Sequence, residues 1–220
     1  MIIDERMRVY INSLSRPLSP MLEALERDAS REGVPIIRPE TQSLIRTVLA
    51  MKTPRSILEI GTAVGFSALL MREYAPEGAK ITTIENYPKR IAEAERNFAA
   101  AGAQNSITLL CGDAGDILPG LTGKYDLIFM DAAKGQYIRW LPDILRLMAP
   151  GAVMLSDNVL QEGDLIESHY LVERRNRTIY RRMRDYLYEL THHPMLITSI
   201  LPVGDGVALI IRQETEDEKA

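Results

Sequence analysis

Five short apolar runs, each ending at or beside a glycine or an acidic residue, constrain the fold of this chain more than any other feature. They occupy 56–61 (SILEIG), 80–85 (KITTIE), 106–114 (SITLLCGDA), 125–131 (YDLIFMD) and 152–158 (AVMLSDN). Between them lie stretches of helical character, FSALLMREY, PKRIAEAERNFAAAG and YIRWLPDILRLMAPG. A strand that is apolar throughout cannot leave one face in water, so it must be covered on both sides. Such strands alternating with helices imply βαβ units, a buried parallel sheet and right-handed crossovers. The C-terminal part differs. A polar, arginine-rich helix is expected over 172–192, and Val203-Gly204-Asp205-Gly206 then separates two β-rich runs in the manner of a hairpin. The expected class is therefore α/β, a doubly wound and mostly parallel sheet closed by an antiparallel hairpin.

The first 50 residues read as helices. One is expected over 4–13 and a second over 17–31, with Pro17 in its first turn. A third opens at Pro39-Glu40 and carries Leu44, Ile45, Val48 and Leu49 on one apolar face. This helical extension (1–50) belongs to a single domain expected to span 1–213, where it either covers the active site or forms a dimer interface. Residues 214–220 are mostly charged and are expected to be disordered. A chain of 220 residues can bury roughly 70% of its unfolded surface. Its net charge of −4 gives no global attraction to nucleic acid or membrane. The one cysteine, Cys111, excludes an internal disulfide and a cysteine-based zinc site. With no signal peptide and no run of about 20 apolar residues, a soluble, cytoplasmic protein with no membrane partner is expected.

Doubly wound sheets bind ligands beyond the carboxyl ends of their strands, so the residues there are the candidate site. The first strand ends in Glu59-Ile60-Gly61-Thr62-Ala63-Val64-Gly65. Glycines admit close approach of a ligand to the backbone, and the next helix offers free N–H groups. The second strand ends in Glu85, placed to accept from ribose hydroxyls. The third ends in Gly112-Asp113-Ala114, where a carboxylate suits an adenine amino group and the Ala114 N–H a ring nitrogen. A nicotinamide enzyme also wants glycines followed by an acid. Here the closely spaced Gly-x-Gly-x-x-Gly is missing, and a terminal hairpin is foreign to that fold.

Glu59-x-Gly61-x-x-x-Gly65-x-Ser67, Glu85 and Gly112-Asp113-Ala114 resemble the S-adenosylmethionine site of the cation-dependent O-methyltransferases, the family of catechol and caffeoyl-coenzyme A methyltransferases. The likeness runs from about residue 35 to 212. It implies a Rossmann-like seven-stranded sheet with extra N-terminal helices. It also implies that Ser67 and the glycine loop hold the methionine moiety, Glu85 the ribose, and Asp113 with Ala114 the adenine. A backbone contact at Ile37 is implied as well, and Glu59 and Asp131 fall among the cofactor-binding positions.

The fourth strand ends in Asp131, with Lys134 three residues on, and the fifth ends in Asp157-Asn158. Adjacent strands would bring these three oxygen ligands together. Two carboxylates and an amide carbonyl suit Mg²⁺ or Mn²⁺. A hydroxyl is a poor nucleophile toward a sulfonium methyl until it loses its proton. A cation chelated by two vicinal oxygens stabilises the oxyanion and orients it, while Lys134 takes the proton or holds the anion. Asp131, Lys134, Asp157 and Asn158 match the family's metal and catalytic positions. Ala132 and Ala133 are smaller than the pair found there in the catechol enzymes, a departure that disfavours a catechol acceptor.

Residues 174–184 hold six arginines and no acid. Arginine forks match phosphates, so Arg174, Arg175, Arg177, Arg181 and Arg182 are candidate RNA contacts; a solvated helix face or salt bridges across a dimer are the plainer alternatives. The start PETQSLIR, NRTIYRRMRDYLYEL and VGDGVALIIR resemble the bacterial branch that methylates 5-hydroxyuridine at the tRNA wobble position, giving 5-methoxyuridine. That resemblance implies tRNA, through its anticodon loop, as partner, and the protein is expected as a homodimer. Tyr137, Trp140 and Tyr170 are possible stacking surfaces. His192 and His193 are expected in structural or surface roles, as is His169, for which contact with substrate is the alternative. The alternatives are a small-molecule O-methyltransferase for catechols or phenylpropanoids, and a non-catalytic nucleotide-binding protein.

Overall fold

The computed structural model describes residues 4–168, 170 and 172–214; the expected tail therefore lies outside the described residues from 215 onward. Helix α1 (Glu5–Ser13) is capped by Asp4, whose carboxylate accepts from the Arg6 and Met7 amides. Helix α2 runs over Pro20–Arg31 and not from Pro17. Ser19 supplies the N-cap and Pro20 takes the first turn, where its missing N–H is no loss. Helix α3 (Pro39–Lys52) buries Ile45, Val48 and Leu49.

The alternating part follows as β1 (Ser56–Ile60), α4 (Phe66–Tyr74), β2 (Lys80–Glu85), α5 (Pro88–Ala100), β3 (Ile107–Cys111), the short α6 (Ala114–Ile117), β4 (Tyr125–Met130), α7 (Tyr137–Leu147) and β5 (Met148–Asp157). Helix α8 (Arg177–His192) leads to the hairpin β6 (Leu196–Leu201) and β7 (Val207–Arg212). The seven strands are ordered β3-β2-β1-β4-β5-β7-β6. Pairs among β1 to β5 are parallel, and β7 is antiparallel to both β5 and β6. Chain order reverses on either side of β1, so the switch point lies between β1 and β4, where such sheets leave a crevice.

Both faces of the central strands are covered. Leu58 and Ile60 of β1, Ile128 and Met130 of β4, and Met154 of β5 pack with Tyr137, Ile144, Met183 and Tyr186 of α7 and α8. The alternate residues Ile57, Leu127, Phe129, Val153 and Leu155 pack with Ile45, Leu49, Leu69 and Phe98 of α3, α4 and α5. Each fully buried Leu, Ile or Phe contributes about 1.5–3 kcal/mol, which is why these strands carry no polar face. Further boundaries differ from the sequence expectation. Strand β3 stops at Cys111 because Asp113 turns to cap α6. Strand β5 begins at Met148, directly after α7. Helix α8 begins at Arg177, so Arg174 and Arg175 stand in the turn before it. Among the described residues, no helix is long and apolar enough to cross a membrane.

Candidate functional site

A cavity of about 600 Å³ opens at the carboxyl ends of β1 to β5. Gly61 makes it possible for the β1 and β4 ends to meet. Its φ is +101°, and a Cβ there would stand 2.1 Å from the Asp131 carbonyl oxygen. Only glycine fits both the backbone conformation and the approach. Gly65 (φ +83°) is similarly pressed, since a Cβ would lie 2.5 Å from the Phe98 ring. The two glycines let the loop run close under the cavity, which Gly61, Thr62, Ala63 and Ser67 line.

Glu85 sits at the cavity wall at the end of β2. Its Oε2 accepts from the Ala63 N–H at 2.8 Å, and its Oε1 from the Asn86 and Tyr87 N–H groups at 3.0 and 2.9 Å. The carboxylate is thus fixed before any ligand arrives. Asp113 caps α6 through the Gly115 N–H (2.8 Å) and receives the Asn86 amide at 3.3 Å. Asp113, Ala114 and Trp140 line the same end of the cavity. Ile37 lines it too, its carbonyl accepting from the buried Gln42 side chain at 3.0 Å. Of the described residues of the N-terminal extension, 35–38 line the wall.

Glu59 differs from the expectation of direct ligand contact. It is fully buried on the α3–α5 face and is absent from the cavity wall. It lies beside Thr83 in the β1–β2 register, and the Thr83 hydroxyl donates to its Oε2 at 2.5 Å. The Thr62 and Thr83 hydroxyls are 2.6 Å apart, linking this carboxyl to the loop above. Oε1 has no partner of good hydrogen-bond geometry. Burial pushes the Glu59 carboxyl up to about 8, against the Ser67 and Thr83 hydroxyls that favour the ionised form. Glu59 supports the loop from below.

The second half of the cavity is acidic. Met130 pairs with Ser156 across β4 and β5, so Asp131 and Asp157 follow at neighbouring strand ends. Asp131, Lys134, Asp157 and Asn158 all line the cavity. Asn158 adopts φ +57°, and its N–H bonds the Asp157 Oδ1 at 2.8 Å. Burial, and then repulsion from Asp131, raises the Asp157 carboxyl to about 7. Lys134 Nζ is 2.7 Å from Asp131 Oδ1. No group of three or more His, Cys, Asp or Glu side chains gathers among the described residues; the donor set is two carboxylates and an amide, which is hard and oxygen-only. Two converging carboxylates and an amide carbonyl are a fitting place for a divalent cation.

Sequence reasoning missed what holds this half in place. Tyr137 is fully buried and not available for stacking. Its hydroxyl donates to the Met130 carbonyl (3.1 Å) and accepts from the Ala132 N–H (3.1 Å), which pins the turn after Asp131. Asp205, in the hairpin tip, is buried. Its carbonyl and that of Gly206 accept from the Leu160 and Val159 amides, and its side chain accepts from the Glu162 amide. The tip thereby clamps the turn after Asn158. The sequence signalled a turn at VGDG, but nothing local says what a hairpin tip will touch.

The arginine segment is largely occupied with its own chain. Arg182 donates to the Gly135 carbonyl (3.1 Å), and Arg177 to those of Val172 (3.1 Å) and Tyr170 (3.3 Å). Arg175 pairs with Glu173 at 2.7 Å. Arg177 and Arg182, two of the expected RNA contacts, thus also hold loop carbonyls, as an exposed loop beside a helix requires. Arg174 and Arg181 are exposed. His192 stacks on Tyr188 with ring centroids 3.9 Å apart, and His193 accepts from the Met195 amide at 3.2 Å. His169 lies outside the described residues.

A family model described as O-methyltransferase matches residues 12–213. The chain is similar to the catechol O-methyltransferase of Niastella koreensis, 31% identical over 166 residues that cover 73% of this chain and 75% of that one. It is also similar to the catechol O-methyltransferase of Mycobacterium tuberculosis, 35% identical over 164 residues, 71% of each chain. Among solved structures, the SAH-bound methyltransferase PaMTH1 of Podospora anserina matches with a TM-score of 0.85 at 28% identity, covering 96% of this chain and 95% of that one.

Proposed function

This chain belongs to the O-methyltransferase family, and we propose that it transfers the methyl group of S-adenosylmethionine to one hydroxyl of a small acceptor with two vicinal oxygens, of catechol or phenylpropanoid type. One observation carries the reading. The Gly61–Ser67 loop, Glu85 and Asp113 share a single cavity with Asp131, Lys134, Asp157 and Asn158. The SAH-bound relative supports the cofactor, and the relatives named catechol O-methyltransferases support the acceptor class against the expectation drawn from Ala132 and Ala133.

Glu85 would hold ribose hydroxyls, Asp113 and Ala114 the adenine, and Ser67 with the glycine loop and Ile37 the methionine end. Asp131, Asp157 and Asn158 would hold Mg²⁺ or Mn²⁺. When bound, the sulfonium supplies an electrophilic methyl carbon and the cation acidifies a hydroxyl beside it. The chain's own residues do the rest. Lys134, bonded to Asp131, is placed to take the acceptor's proton or to hold its anion. The Tyr137 hydroxyl keeps the Asp131–Lys134 turn fixed, and the hairpin tip does the same for Asn158. The glycine loop brings the methyl donor's pocket against the β4 end, so that donor and acceptor are held together.

The test is methyl transfer with S-adenosylmethionine and a divalent cation to catechol and caffeate, against phenol. A methylated product from the vicinal pair and none from the single hydroxyl supports the reading; equal methylation of phenol contradicts it. A second reading, methylation of wobble 5-hydroxyuridine in tRNA, draws support from one observation. Arg182 of α8 bonds the Gly135 carbonyl in the turn after Lys134, and Arg174 and Arg181, close to it in sequence, are exposed. The O4 and 5-hydroxyl of that base are also a vicinal pair. Nucleoside mass spectrometry of tRNA treated with the enzyme decides it: gain of 5-methoxyuridine favours this acceptor over the small one.

A further inference from the structure

We propose that Arg38 is an anion subsite on the acceptor side of the cavity, so that this chain favours vicinal-oxygen acceptors that also carry a carboxylate or phosphate. The inference rests on the acceptor reading just given. The charged residues lining the cavity, among the described residues, are the acids Glu85, Asp113, Asp131 and Asp157 and the cations Arg38 and Lys134. Lys134 is committed to Asp131 at 2.7 Å. Arg38 is held differently. Its guanidinium pairs with the Glu162 carboxylate at 3.5 Å, and that carboxylate is 77% exposed; the Asp205 carboxylate also feels its charge. Exposed pairs of this length are weak. A ligand carboxylate or phosphate that takes the arginine fork with two parallel bonds is the stronger partner.

The surroundings are built to keep Arg38 in place while Glu162 leaves. The backbone of Arg38 occupies the N-cap of α3, and its side chain makes no capping bond. Its stem runs beside the hairpin tip, where a Cβ on Gly204 would lie 3.7 Å from the Arg38 Cδ. Glu162 is anchored by its amide to the Asp205 carboxylate, so its side chain can swing outward without unmaking the turn. Glu162 has φ +52°, next to Gln161 at +51° and Gly163 at +97°. This left-handed stretch is held by the same tip that clamps the residues after Asn158. Arg38 thus belongs to the β5 half of the cavity, away from Glu85 and Asp113 on the β2–β3 side.

The experiment compares KM for catechol and for 3,4-dihydroxybenzoate, and for 5-hydroxyuridine and its 5′-monophosphate, in the wild type, Arg38→Gln and Glu162→Gln. The quantity read is the ratio of neutral to anionic KM within each pair, which cancels changes common to both acceptors. The wild type should favour the anionic member. Arg38→Gln should collapse that preference about tenfold, the scale of one charge-assisted hydrogen bond. Glu162→Gln, which removes the internal competitor, should raise it severalfold. Preference confined to the carboxylate pair identifies an aromatic acid, and preference confined to the phosphate pair a nucleotide. Turnover with unchanged ratios in both variants overturns the subsite and leaves the acceptor reading standing. Absence of turnover with all four acceptors overturns that reading and the subsite with it.

Discussion

Glu59→Gln isolates the buried carboxyl beneath the cofactor loop. Glu59 is fully buried between β2 and the α3–α5 layer, with one oxygen bonded by Thr83. Its carboxyl stands at about 8 in the fold against a usual value of 4.5. Between those values the folded chain keeps the proton that the unfolded chain has lost, so the folded state binds more protons and stability falls as pH rises. Below 4.5 the side chain is neutral in both states and the cost vanishes; above about 8 the folded state ionises as well and the loss levels off. At about 1.4 kcal/mol per pH unit, the full window amounts to as much as roughly 5 kcal/mol. Glutamine keeps the acceptor for Thr83 and removes the ionisation. Urea denaturation of the ligand-free protein at pH 5, 7 and 9 reads the difference. The variant should match the wild type at pH 5 and exceed it by several kcal/mol at pH 9. Parallel pH profiles for the two proteins would refute the burial argument, since they would mean that Glu59 titrates alike folded and unfolded.

Gly61→Ala places a methyl group 2.1 Å from the Asp131 carbonyl at a φ of +101°. The strained backbone alone costs about 1–3 kcal/mol, and the β1 loop must withdraw from β4. SAH affinity by calorimetry should fall at least about tenfold; unchanged affinity would show that the two strand ends need not touch. Lys134→Gln should lower kcat by about 10²–10⁴ with SAH affinity little changed, measured as methyl transfer to catechol at saturating cofactor. A kcat close to wild type would remove Lys134 from proton handling.

The strands, the hairpin and most of the cavity wall were legible in the sequence because the signals are local. Apolar runs such as 125–131 can only be strands covered on both sides, and functional residues of this architecture stand at their ends. Asp131 and Asp157 were paired from strand adjacency alone, and β4 and β5 are adjacent. What escaped depends on contacts between distant segments. Glu59 sits on a strand end like Glu85, yet the pleat turns it into the core and away from the cavity. Tyr137 looked like a stacking surface because helix phase alone does not reveal that its hydroxyl reaches the Met130 carbonyl. Composition suggests a phosphate surface in the arginine run, but it cannot show that Arg177 and Arg182 also donate to loop carbonyls. Arg38 and Asp205 acquire meaning only when the hairpin tip is folded against the start of α3.

The central claim is that one cavity holds a methyl donor in one half and an oxygen-chelated cation in the other. Asp157→Ala separates the halves most directly, because Asp157 lies at the β5 end, away from Glu85 and Asp113. SAH binding by calorimetry and methyl transfer to catechol with Mg²⁺ are measured on the same preparation. SAH affinity should stay within a few-fold of wild type, turnover should be lost, and excess chelator should abolish wild-type turnover. Full turnover in Asp157→Ala, or in the wild type under excess chelator, would contradict it.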